Sequence, residues 1–170
     1  KNIEFLQADI LNMGKLEKRF HIIESVGVLH HMKEPKNGWK ILVDLLRPGG
    51  LMRIGLYSGL ARRNIEELRQ EISFKKIDPT EHNLREFRDR LIKRNKKETG
   101  EGFGSTNFLT GTDGKTILPD FFSLSEFRDL LFHVQEHTFS IPEIERTLDE
   151  LGLIFCGFQI DHKVQNEFKN

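Results

Sequence analysis

Between Ile3 and Ser58 three apolar runs each end on residues able to do chemistry, and this spacing narrows the available folds more than any other feature. The first run, IEFLQ, stops on Ala8-Asp9-Ile10. The second, FHIIESV, leads into Gly27-Val28-Leu29-His30-His31-Met32. A helical stretch from Trp39 to Leu46 follows, then Arg47-Pro48-Gly49-Gly50 and the third run, LMRIGLYS. Apolar runs of strand length, bounded by turn residues and separated by a helix, describe a parallel α/β sheet. Such sheets take their ligands at the carboxyl ends of the strands. The aspartate, the paired histidines and Tyr57-Ser58 fall at those ends.

Beyond Ser58 the period changes. Ile65, Leu68 and Ile72, then Leu84, Phe87 and Leu91, recur at three- and four-residue steps with charges between them, which predicts two amphipathic helices. Asp78-Pro79-Thr80 breaks the run, and either Asp78 or Thr80 can cap the second helix. Glu98 to Gly114 is rich in Gly, Thr and Asn and reads as a loop. Ser123 or Ser125 starts a further helix that continues past Leu131. Ser140-Ile141-Pro142-Glu143 starts another, which Gly152 ends. The run LIFCGFQI then reads as a strand.

Composition removes several functions. In 170 residues, Lys+Arg and Asp+Glu are balanced at 26 each, so no net field draws the chain to nucleic acid. The basic cluster from Arg85 to Lys97 is interleaved with acids and reads as a solvated helix face. A single cysteine, Cys156, allows no internal disulfide and suits a reducing cytoplasm. No apolar run approaches transmembrane length, and no signal peptide is visible.

The order of a strand ending in Asp, then F-[DH]-x-I, a V-L-H-H loop, L-[KR]-P-G-G and another strand resembles the second half of a class I S-adenosylmethionine-dependent methyltransferase. The resemblance implies a Rossmann-like parallel sheet, truncated at both ends. The family's G-x-G-x-G loop and the acidic end of its second strand would lie before Lys1. Gly102-Phe103-Gly104 sits in a polar loop and does not replace that glycine loop. On this reading 1–58 is the C-terminal part of the cofactor-binding core, 59–149 a helical cap, and 150–170 a late strand with the start of the next segment. The stretch DFFSLSEFRDLLFHVQEH is similar to members fused to tetratricopeptide-type helical repeats, which are thereby a possible partner in the longer protein.

The resemblance also implies roles. Asp9 would accept a hydrogen bond from the adenine amino group of S-adenosyl-L-methionine, with Ala8 and the Ile10 N–H beside it; the alternative is that Asp9 caps the following turn. Ser25 and Gly27 would meet the amino-acid end of the cofactor. His31, ahead of its neighbour His30, is a candidate general base, although either ring could instead pack against the strand ends. Tyr57 would lie beside the transferred methyl group.

His133-Val134-Gln135-Glu136-His137 has the H-x-x-E-H spacing of a zinc site on a helix. Without metal, the same helix could present His133, Glu136 or His137 to substrate, or be an ordinary charged face. His137 is retained as a third catalytic candidate, and no metal is expected. Gly111 to Thr116 fails the spacing of a phosphate loop. The expected reaction is in-line methyl transfer to a small-molecule or protein acceptor. A dehydrogenase is disfavoured because no Ser/Tyr/Lys hydride-transfer set is present. A non-catalytic protein-binding module built on the same fold is the alternative.

Overall fold

The computed structural model describes residues 2–99 and 121–160, with the side chains of 95–99 excluded. The expected Glu98–Gly114 loop, Gly102-Phe103-Gly104, the 111–116 segment and the chain after Ile160 therefore lie largely or wholly outside the described residues. The architecture is mixed α/β with parallel strands, as the Rossmann-like reading expects.

The first compact unit runs to Ser140. In it β1 (Phe20–Val26) pairs in parallel with β2 (Leu46–Gly55). Helix α1 (Pro35–Asp44) is the crossover, and Pro35 opens it where a missing N–H costs nothing. Phe20 pairs with Leu46 but Ile22 pairs with Leu51, so Arg47-Pro48-Gly49-Gly50 is absorbed as a bulge early in β2. From there the register is regular to Val26 and Gly55, and the carboxyl ends of the two strands are level. Helix α1 packs on the 3₁₀ turn at Ile10–Lys15 and on the short turn at Leu29–His31.

The largest core lies in the helices. Helices α2 (Arg63–Phe74), α3 (Glu81–Thr99) and α4 (Leu124–Phe132) bury Ile65, Leu68, Ile72, Leu84, Phe87, Leu91 and Phe127 against one another. The expected break falls at Asp78-Pro79-Thr80, where Thr80 Oγ1 accepts from the Asn83 N–H at 3.3 Å. No helix among the described residues is long and apolar enough to cross a membrane.

Four expectations need correction. IEFLQ has no regular secondary structure and belongs to no sheet, and Phe5 is 92% exposed. The third strand is interrupted at Leu56; Tyr57–Ser58 forms its own short strand, β3, parallel to β4 (Thr138–Phe139). The helix begun at Ser123 ends at Phe132, so HVQEH is not helical. In the second unit, α5 (Ile141–Glu150) ends at Gly152 as expected, but LIFCGFQI forms no ladder and Ile154 is 89% exposed. An apolar run becomes a strand only where a neighbour offers hydrogen bonds, and neither run has one among the described residues.

Helices α2 and α5 end with the same hydrogen-bond pattern but different residues. At α2 the Ile77 N–H reaches the Ile72 carbonyl and the Lys76 N–H reaches Ser73, both at 3.1 Å. The residue between, Lys76, therefore has φ +50°; the equivalent residue of α5 is Gly152, at φ +66°. A side chain in this left-handed region costs energy that glycine avoids. Lys76→Gly is expected to stabilise the chain by about 0.5–1 kcal/mol in urea unfolding, and Lys76→Val to destabilise it.

Candidate active site

Level strand ends place two chain segments side by side. After Val26, Gly27 turns with φ +74° and the backbone enters the short turn that carries His30 and His31. After Gly55, the chain passes to Tyr57. Pairing of β3 with β4 then brings the 133–139 segment to the same edge, matching Tyr57 with Thr138. A second tie is the His137 N–H, which donates to the His30 carbonyl at 2.8 Å.

The result is an aromatic cluster. The His30 ring lies 4.0 Å from Tyr57 and 4.3 Å from His31, and His31 stacks on His133 at 4.0 Å. His30 is 1% exposed, and neither ring nitrogen has a hydrogen-bond partner among the described residues. Burial holds its pKa below the usual histidine value, and the neighbouring His31 adds to this. The Gly55 carbonyl is near enough to oppose that shift without completing a hydrogen bond.

Gln135 touches three imidazoles. Its carbonyl accepts from His31 Nδ1 at 3.1 Å, and its N–H donates to His133 Nδ1 at 3.3 Å. Its side-chain amide nitrogen lies 3.3 Å from His137 Nε2.

Glu136 fixes this segment to the helices. Its Oε1 accepts from Arg62 Nε at 3.2 Å, while Oε2 accepts from Arg62 at 2.8 Å and from Arg69 at 3.0 Å. Arg62 also lies over the Tyr57 ring, 3.8 Å from its centre. Arg69 donates twice to the Leu130 carbonyl, at 3.0 and 2.7 Å. That carbonyl would otherwise receive the Val134 N–H in the next helical turn, so its capture accounts for the end of α4. Burial would push the Glu136 carboxyl up, but the guanidiniums of Arg62 and Arg69 outweigh it and hold the group below the usual glutamate value.

A carboxyl depressed in the folded state stabilises the fold above its unfolded pKa, near 4.5, and loses that contribution as pH falls through the folded value. His30 acts at higher pH: below about 6.5 the unfolded state takes up a proton that the buried ring resists, so stability declines there. Glu136→Gln should flatten the stability profile below pH 4.5, and His30→Asn should flatten it just below pH 6.5, in urea titrations across pH. Glu136→Ala strands two guanidiniums and should cost about 3 kcal/mol at neutral pH.

His31, Tyr57 and His137 thus lie in one cluster, although HVQEH brings its histidines there as a non-helical segment with a bend at Val134. The geometry behind the zinc reading, two histidines on one helix face, is absent. Among the described residues no group of three or more His, Cys, Asp or Glu could hold a metal. Asp9 caps the 3₁₀ turn, its Oδ1 accepting from the Leu11 N–H at 2.9 Å, with Ala8 exposed before it and Ile10 half-buried after it. Ser25, near the end of β1, is buried, and its Oγ has no partner among the described residues. Arg62, Arg69 and Gln135 did not emerge from the sequence. Their one signal is the seven-residue spacing of the arginines, two helical turns on one face.

Residues 1–54 match the family described as a methyltransferase domain. Over 156 residues the chain is 26% identical to an uncharacterized protein of Synechococcus sp., covering 92% of this chain. The chain spans about a third of the length of that relative, 36%. The matched residues, 1–54, carry β1, α1 and nearly all of β2, so the parallel strand pair of this chain is similar to part of a methyltransferase domain.

Proposed function

We propose that the chain contributes the adenine-side core and acceptor face of an S-adenosylmethionine-dependent methyltransferase acting on a small molecule or a protein. The observation that carries this reading is the gathering of His31 and Tyr57 just beyond the level carboxyl ends of β1 and β2. A buried, unpartnered Ser25 Oγ at the same end of β1 suits a polar ligand group. Asp9, with Ala8 and the Ile10 N–H, would hold the adenine; Ser25 and Gly27 would hold the amino-acid end.

When bound, the cofactor supplies an electrophilic methyl group on sulfur. The chain's own part is mainly positional, because holding a nucleophile in line removes most of the entropic barrier. The stacked His31 and His133 rings, with Tyr57 edge-on to His31, offer an aromatic wall for an acceptor. His31 could take a proton from it. His137, with Nε2 engaged by Gln135, is the less available base. Further parts of this proposal are a cytoplasmic location and helical repeats elsewhere in the longer protein.

Calorimetric titration of S-adenosylhomocysteine into the full-length protein tests the reading. Micromolar affinity is expected, weakened about tenfold by Asp9→Ala, the loss of one charge-assisted hydrogen bond. No heat from the folded protein would contradict it and favour a protein-binding module.

A further inference from the structure

The peptide groups around Gln135 determine where the protons sit on two stacked imidazoles. A carbonyl can only accept, so the Gln135 carbonyl requires the proton of neutral His31 on Nδ1. Its Nε2 then carries the free lone pair. The Gln135 N–H can only donate, so His133 must keep its lone pair on Nδ1 and its proton on Nε2. Two rings 4.0 Å apart are thus held in opposite tautomers, and only His31 is left with an uncommitted basic nitrogen.

What holds the Gln135 peptide is the next residue. Glu136 has a side chain only 4% exposed, and Arg62 and Arg69 occupy both of its oxygens. Arg62 leads on to Tyr57, and Arg69 to the end of α4. We infer that the Arg62–Glu136–Arg69 triad is a positioning device that fixes His31 as an Nε2 base. This deepens the methyl-transfer reading and rests on it. A base so prepared fits an acceptor whose nucleophile is an O–H or N–H group, and is not needed by one that is already anionic. The proton passes from the acceptor heteroatom to Nε2, giving an imidazolium. The electron pair left on the heteroatom would then bond the methyl carbon as the carbon–sulfur bond breaks, with that bond's pair staying on sulfur in the departing S-adenosylhomocysteine.

The test is the tautomer itself, read by proton–nitrogen correlation spectra of the histidine side chains in the full chain at pH 8. In the unaltered protein His31 should show the Nδ1–H form in about tenfold excess, the effect of one buried hydrogen bond. In Glu136→Gln that excess should be lost and Nε2–H should appear, while the exposed His21 and His82 stay unchanged. Should Glu136→Gln not fold, Arg62→Gln, which leaves Arg69 on the carboxylate, is read in the same way. A His31 that keeps its Nδ1–H form in the folded variant overturns the inference. The spectra require no cofactor, so this failure is distinct from a failure to bind S-adenosylhomocysteine.

Discussion

One buried carboxylate joins the two parts of the first unit. Glu136 lies in a segment with no helical hydrogen bonds and little apolar burial of its own; Val134 is fully exposed. What holds the segment is the pairing with β3, one bond to the His30 carbonyl, and the guanidiniums of Arg62, just before α2, and Arg69, within it. Two cations on one carboxylate offset the cost of burying it. The same cations are shared with Tyr57 and with the last turn of α4. A change at this triad is therefore felt at the helix end, at the strand pair and in the imidazole cluster together.

The sheet edge supplies the other half of the site. Parallel pairing in level register brings the residues after Val26 and after Gly55 out on the same side. The bulge in β2 adjusts that register, because its extra residues are absorbed before the regular ladder begins. Asp9 is already occupied through Oδ1 in capping its turn. Capping and ligand contact are compatible roles for a carboxylate, which has a second oxygen to offer.

Local features were legible in the sequence. Thr80 at the start of α3 and glycine after α5 act within a few residues, and each boundary lies where its chemistry puts it, whereas α1 begins at Pro35 and ends at Asp44 rather than running from Trp39 to Leu46. The features that failed depend on partners far along the chain. Leu130, Leu131 and Val134 continue a helical pattern, yet Arg69, 61 residues before Leu130, takes the carbonyl that the next turn needs. IEFLQ has strand composition but no neighbour among the described residues. For the site, residue types at the strand ends pointed to His31 and Tyr57. The Gln135 backbone carries no side-chain signal at all, and its contact with His31 spans 104 residues.

The central claim is that the strand ends and the clamped segment form one methyl-transfer site. The most direct measurement is the response of the histidine ring signals to saturating S-adenosylhomocysteine in the full-length protein. The account requires shifts at His31 and His133, with His21 at the opposite end of β1 and His82 on α3 unmoved. Saturable binding that leaves His31 and His133 unchanged would contradict it.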